Sequence, residues 1–381
     1  MTDEFFGRTL ALLADPGSPY ARTFDASPLL DLSIGEVRYP LPAASRTEMG
    51  KAAGRIERLW YAAPQGEPAL RAAYLRHLTN MDTSGSAPDA TDVLVTAGGK
   101  EAAWLAIRYL LQRRGGGAAL VPVPGWEPYR LWLSAAGYLQ VPYDPVALAG
   151  DPASLSALVA GAPTRPTLLV LNYPHNPTGA SVDQAGMNQI MAAAADAGVA
   201  VVSDEVYRTF APAPASAALT PAFDPGRDAV VDSCSKWLGV AGLRVGFLLA
   251  GPETVRDVTL FRSSYASCTS VLAQHAAASL LGSDATRDWM TAIRAEIDRN
   301  RRAVAAQLDV LGVPVESAGG LYLWCRTPDP DKLTDPGVTG RARTAPGRGF
   351  GTPGHFRLCV AQAGLNPAQA AAAVVATLRE G

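Results

Sequence analysis

The chain has 381 residues, 48% of them hydrophobic, enough for a large buried core and for one large domain with a smaller one. Its net charge is −2 with no block of like charge, which argues against nucleic acid or an anionic membrane as partner. No apolar run approaches the length of a membrane span, and the start of the chain lacks the basic and apolar regions of a secretory leader, so a cytoplasmic protein is expected.

In chain order, residues 1–45 read as a helix and an extended segment with no sheet partner nearby in sequence. Short Val/Leu runs then alternate with Ala/Leu-rich helical patterns. Strands are expected at 93–96, 118–123, 167–172, 199–203, 229–233 and 245–250, with helices at 99–113, 126–136, 183–197 and 252–262. This alternation predicts an α/β fold with a mainly parallel sheet. A long helical pattern at 271–311, broken near Gly282–Ser283, leads out of it. A strand at 320–326, a polar Gly/Pro-rich stretch from 327 to 354, a strand at 355–360 and a helix from 366 read as a small α+β domain. The expected division is a large domain at 46–290 and a small one from 1–45 and 291–381.

The four cysteines, Cys234, Cys268, Cys325 and Cys359, are scattered without metal-ligand or redox-motif spacing, and reduced buried thiols are expected; no metal site is. Only four lysines occur, Lys51, Lys100, Lys236 and Lys332, so a lysine-dependent chemistry has few candidates.

One of them stands in Ser233-Cys234-Ser235-Lys236, followed by Gly242-Leu243-Arg244-Val245-Gly246. Low polarity favours the neutral amine that a Schiff base requires. Ser233 and Arg244 offer hydroxyl and guanidinium donors to a phosphate. By itself the segment also suits an ordinary lysine at a helix start. Asn172-Tyr173-Pro174-His175-Asn176-Pro177-Thr178-Gly179 follows the apolar run LLVL. Strand-end turns of this kind bind ligands in α/β sheets, and the Asn176 amide can donate to a phenolate, although Asn-Pro turns are common. Ser203-Asp204-Glu205-Val206-Tyr207 ends another strand. A carboxylate there can keep a pyridine nitrogen protonated, or serve as a helix cap. Thr96-Ala97-Gly98-Gly99-Lys100 presents backbone N–H groups at a helix start, and Trp126 after Pro122-Val123-Pro124-Gly125 can stack on a planar ring or join the core.

Five strand-end signals suited to one ligand resemble the class I/II aminotransferases, of pyridoxal-5′-phosphate (PLP) fold type I. The likeness runs from Gly35 to Arg357, and the intervals from Asn176 to Asp204, Asp204 to Tyr207 and Lys236 to Arg244 are the family's. The resemblance implies a seven-stranded, mainly parallel sheet flanked by helices, with a smaller α+β domain from both termini. It implies that Lys236 holds PLP covalently and then moves the proton, and that Asp204 pairs with the pyridine nitrogen. Asn176 and Tyr207 would hold the ring oxygen and Trp126 would stack. Gly99 and Lys100 (by backbone), Ser233 and Arg244 would bind the phosphate. Tyr61, in Leu59-Trp60-Tyr61-Ala62-Ala63-Pro64-Gln65-Gly66, resembles the tyrosine that reaches the phosphate of a second subunit, which implies a homodimer. Arg357 resembles the arginine that grips the substrate α-carboxylate, with Gly35 letting backbone approach it.

The chain departs from the family at 327–351, where an additional helix is usual and a Pro/Gly-rich stretch stands instead. The expected activity is ping-pong exchange of an amino group between an α-amino acid and a 2-oxo acid. Aspartate- or diaminopimelate-type substrates fit the general likeness, and a non-proteinogenic substrate such as a guanidino amino acid fits the short C-terminal region. A decarboxylase, lyase, cyclase or oxidase of the same fold is the alternative, since the cofactor residues do not separate them. A PLP-sensing regulator would need a DNA-binding segment that the sequence does not contain. Arg262 reads either as a pocket residue or as a surface helix arginine.

Overall fold

The structure, a computed structural model, describes residues 30–79, 92–211, 217–327 and 341–380. Its largest sheet contains β2 (Val93–Thr96), β3 (Ala118–Pro122), β4 (Leu139–Tyr143), β5 (Pro166–Asn172), β6 (Ala200–Asp204), β7 (Ala229–Ser233) and β8 (Gly246–Leu249). The spatial order is β2-β8-β7-β6-β5-β3-β4. The β3–β4, β3–β5, β5–β6 and β6–β7 pairs are parallel, while β8 runs antiparallel to both of its neighbours, β2 and β7. The mainly parallel seven-stranded sheet is therefore as expected.

Strands β2, β3, β6, β7 and β8 are buried at every residue, because helices cover both faces and continuous apolar runs suit that environment. Within this sheet, edge strand β4, with an exposed Leu139 and a Pro142, was the one not predicted. Helix α3 (Gly99–Arg113) packs across the middle strands on Ala102, Ala103, Leu105, Ala106, Ile107, Leu110 and Leu111. Before it lie α1 (Ala43–Gly54) and α2 (Pro68–Thr79), neither of which was predicted. Between β3 and β8 come α4 (Glu127–Ala135), α5 (Pro145–Gly150), α6 (Leu155–Gly161), α7 (Gln184–Asp196) and the single turn α8 (Cys234–Trp237).

The 271–311 pattern divides where the sequence indicated. After α9 (Pro252–Ala266), helix α10 (Val271–Leu281) ends at Gly282, and the Ser283 hydroxyl accepts from the Thr286 amide at 3.2 Å to start α11 (Asp284–Val310). A second, antiparallel sheet follows in the order β12 (Ala345–Pro346), β13 (His355–Cys359), β10 (Tyr322–Arg326), β9 (Val315–Gly319). Strand β1 (Leu30–Asp31) pairs in parallel with β11 (Ala342–Arg343), and α12 (Pro367–Glu380) packs on α11. The expected elements of residues 1–29 and the part of the Pro/Gly-rich stretch at 328–340 lie outside the described residues. The remainder of that stretch holds β11, β12 and the turn Gly347–Phe350. No helix among the described residues is long and apolar enough to cross a membrane.

Candidate active site

Parallel pairing brings separate sequence signals to one edge of the large sheet. The register sets Asn172 beside Asp204 and Ser233 beside Gly246, with Thr96 on the other side of Gly246. Chain reversal at this edge needs close backbone approach. A Cβ at Gly246 would come within 2.3 Å of the Gly98 carbonyl carbon, and Gly98 itself has φ +89°. Above the edge lies a cavity of about 470 Å³ lined by Gly35, Gly99, Lys100, Trp126, Asn176, Asp204, Tyr207, Ser233, Lys236, Arg244 and Arg357, among others. Every predicted site residue except Tyr61 and the candidate Arg262 is thus brought together.

At one end, Gly99 and Lys100 head α3, whose first amides have no acceptor within the helix. A Cβ on Gly99 would crowd Val206 and Ser233 at 3.0 and 3.1 Å, so a side chain here would fill the cradle. Ser233 accepts from the Ser235 amide at 3.2 Å and donates to the Ser235 hydroxyl at 2.9 Å. Arg244 has left-handed backbone with φ 54°, and its guanidinium donates to Ala241 O at 2.9 Å, Ala97 O at 3.3 Å and Ser235 Oγ at 3.5 Å. A left-handed arginine pinned over hydroxyls and the first turn of a helix forms an oxyanion cradle. Ser235 belongs to it, although the sequence reading did not name it as a ligand.

Deeper in, Asp204 is buried, which raises its carboxyl to about 6; hydrogen bonds from Tyr129 Oη at 2.5 Å and the Val206 amide at 3.3 Å oppose the rise. A cation held beside Asp204 would draw the value back down. Tyr129 lies one helical turn past Trp126, close enough for edge-to-face contact at 5.1 Å, and a Trp-x-x-Tyr spacing was the signal that could have revealed it. Asn172 braces the floor, its amide donating to Asp204 O at 2.8 Å and its side-chain carbonyl accepting from the Asn176 amide at 2.9 Å. Tyr207 Oη receives Asn176 Nδ2 at 3.5 Å and Tyr322 Oη at 2.7 Å. Tyr322 was missed because nothing local distinguishes a tyrosine in the apolar strand GLYLWC.

Lys236 is half-buried at the base of the cavity, and desolvation lowers its amine to about 8. Its Nζ donates to Gly35 O and lies 5.8 Å from the Tyr207 ring centroid. Arg357, also buried, donates to Ser33 O at 2.6 Å and to Asn176 Oδ1 at 2.5 Å, beneath the rings of Tyr322 and Phe350. Gly35 has a reason beyond the one expected of it. A Cβ there would meet the Tyr322 hydroxyl at 2.3 Å.

Two predicted residues fall elsewhere. Tyr61 is 88% exposed and does not line the cavity; Leu59 and Trp60 beside it are exposed too. Arg262 is neither a cavity residue nor a surface one. It is buried, paired with Glu101 at 3.1 Å and bonded to Thr269 at 3.0 Å. The Lys100 side chain lies over Trp126, with Nζ 5.4 Å from the ring centroid. All four cysteines are free.

The family model for aminotransferase class I and II matches residues 27–376. The chain belongs to the class I and II aminotransferases. A histidinol-phosphate aminotransferase of Burkholderia lata is 31% identical over 320 residues, covering 83% of each chain. An aspartate aminotransferase of Streptomyces avermitilis is 27% identical over 358 residues, covering 88% of this chain and 85% of its own. Among solved structures, an aromatic aminotransferase from Pyrococcus horikoshii superposes with TM-score 0.82 at 24% identity over 99% of both chains, which supports fold type I. This aminotransferase is therefore a PLP-dependent transaminase, and its cavity fits that cofactor: an oxyanion cradle, a buried carboxylate, Trp126 on the wall and the Lys236 amine with its lowered pKa.

Proposed function

We propose that this aminotransferase exchanges an amino group between an α-amino acid and a 2-oxo acid by a ping-pong mechanism. Bound PLP supplies an electron sink conjugated to the substrate α-carbon. The chain supplies the rest. Gly99 and Lys100 amides, Ser233 and Arg244 hold the phosphate, and Ser235 assists. Asp204, fixed by Tyr129, stays ionised against the ring nitrogen, while Asn176 and Tyr207 donate to the ring oxygen and Trp126 covers one face. Lys236 anchors the cofactor and, once displaced by substrate, takes a proton at Nζ and returns it. Arg357 holds the α-carboxylate.

The observation that carries this reading is the turn Ser33–Gly35. It accepts Arg357 through Ser33 O and Lys236 through Gly35 O, so carboxylate anchor and proton carrier are tied to carbonyls two residues apart. A carboxylate displacing Ser33 O from Arg357 brings its α-carbon to the amine. The relatives named for histidinol phosphate and aspartate support an amino-group transfer but differ in substrate. The proposed assembly is a cytoplasmic homodimer in which Tyr61 of a second copy completes the phosphate cradle, a role consistent with its exposure beside Leu59 and Trp60. We also propose the division into a large domain at 46–290 and a small one from 1–45 and 291–381.

The test is a single half-reaction. Holoenzyme given one amino acid and no acceptor should release one equivalent of its 2-oxo acid, and initial rates with both substrates should give parallel double-reciprocal lines. Release of carbon dioxide or ammonia would replace transamination with decarboxylation or elimination. Light scattering that finds an active monomer would remove the role given to Tyr61.

A further inference from the structure

The cavity is also lined by Asp31, Glu127, Arg343, Ala345 and Phe350, to which no part in holding the cofactor or the α-carboxylate has been given. Three of these are charged, and they differ in what already holds them. Asp31 is committed: its Oδ1 accepts from the Ser33 amide at 2.9 Å and hydroxyl at 2.6 Å, and its Oδ2 lies 3.5 Å from Arg38. Glu127 sits in the field of two cations, Lys100 and Arg130. Arg343 is different. Its Nε is buried with no hydrogen-bond acceptor, and its charge acts on Asp31, its register partner across β1 and β11.

Backbone alternation explains why Arg343 faces the cavity. Arg343 and Ala345 both line it, while Thr344 between them is fully buried on the other side. Ala345 is the register partner of Arg357 in β12–β13. One step of two residues along an extended chain and one strand spacing across therefore separate the two arginines, roughly 8–9 Å between Cα atoms. Flexible guanidinium side chains from such positions can both reach one small molecule.

We infer that Arg343 is a specificity residue that binds a second oxyanion, on the side chain of an amino-acid substrate whose α-carboxylate is held by Arg357. This rests on the transaminase reading above and narrows its substrate to amino acids with an anionic side chain, a carboxylate or a phosphate. A guanidinium Nε buried without an acceptor is costly, and a planar or tetrahedral oxyanion in the cavity would satisfy it. The same charge disfavours a guanidino side chain, so the guanidino amino acid that the sequence left open is excluded by this proposal.

The test compares isosteric pairs on holoenzyme: aspartate with asparagine, glutamate with glutamine, phosphoserine with serine, and arginine as the cationic control. For wild type, kcat/KM should favour the anionic member of at least one pair by about 10- to 100-fold, the value of a charged hydrogen bond. The winning pair identifies carboxylate or phosphate. In Arg343→Met that ratio should collapse toward one, and in Arg343→Lys it should survive in part. Binding gives a readout apart from turnover: calorimetry should find succinate tighter than butyrate by a similar factor on wild type, with no preference on Arg343→Met. A wild-type ratio at or below one, arginine as the best donor, or a ratio unchanged in Arg343→Met overturns the inference while leaving transamination intact. If wild-type holoenzyme converts no amino acid in the panel to its 2-oxo acid, it is the transaminase reading that fails. Should Arg343→Met not fold, the wild-type ratios and the succinate–butyrate comparison still decide.

Discussion

Two walls of the cavity are held in different ways. On the sheet side, Asn176, Asp204, Tyr207, Ser233 and Lys236 each lie on or within four residues of the end of a buried strand of the seven-stranded sheet. On the opposite side, Ser33, Gly35, Arg343 and Phe350 hang on segments whose strands, β1, β11 and β12, have two residues each. Register fixes the first wall, because shifting a buried strand by one residue would turn its apolar set to the wrong face. The second wall is tied to the first by single bonds, Lys236 to Gly35 O, the Gly125 amide to Phe350 O at 3.0 Å and Arg130 to Gly349 O at 3.0 Å, and to the second sheet by Arg357 on Ser33 O. A framework held by register suits the chemistry that every substrate shares. A wall held by a few side-chain bonds can be altered residue by residue, which suits the choice of substrate.

The sharpest way to break this comparison is Lys236→Ala. If the sheet wall carries the chemistry, turnover should fall by at least about 10²–10⁴-fold, the contribution of acid–base catalysis alone. Borohydride reduction and peptide mapping of wild type should find the cofactor on Lys236. A label on Lys51, Lys100 or Lys332 would move the chemistry elsewhere. Next is Arg357→Ala, which removes one partner of a buried charged pair, a change that typically costs about 2–5 kcal/mol. kcat/KM for amino acids should fall roughly 30-fold to several thousand-fold. Amines lacking the carboxylate should lose much less, and equal losses for both would make Arg357 a structural residue that only braces Asn176 and Ser33.

The sheet wall was the part legible in the sequence, for the same physical reason that it is rigid. A parallel strand that ends in a chemical motif announces both its place and its ligand, so the spans of β2 and β7 and the residues Asn176, Asp204 and Lys236 could be read locally. The other wall could not. Arg343 stands in a polar Pro/Gly-rich run with no periodicity, and what gives it meaning is a pairing with Asp31, more than three hundred residues earlier. Tyr129 and Tyr322 are ordinary buried aromatics until their hydroxyls are seen on Asp204 and Tyr207. Arg262 shows the converse: a plausible site residue by sequence, and in the fold a buried link to Glu101.

A third prediction concerns pH. Burial holds the Lys236 amine at about 8, so the neutral, nucleophilic fraction grows as pH rises toward that value and then saturates. Covalent attachment of PLP added to cofactor-free protein should accelerate about tenfold per pH unit below 8 and level off above it, whereas an unshifted lysine would keep gaining to about 10.4. A rate still climbing at pH 10 would mean that Lys236 is more open to water than its lowered pKa indicates.

The smallest effect probes the seam between the walls. Tyr322, on β10 of the second sheet, donates to Tyr207 Oη at 2.7 Å, and its ring lies over Arg357 at 4.5 Å. Tyr322→Phe keeps the ring, and so its contact with Arg357, but deletes the hydrogen bond that leaves Tyr207 free to donate its own proton toward the cofactor. A neutral hydrogen bond contributes about 0.5–1.5 kcal/mol, so kcat should fall roughly 2- to 12-fold. KM for amino acids should change little, because Arg357 retains its aromatic cover, and the cofactor absorbance should shift as Tyr207 reorients. A rise in KM with kcat unchanged would mean that Tyr322 acts on the substrate through Arg357. The seam would then belong to the specificity wall, and Tyr207 would be held by Asn176 without help from the second sheet.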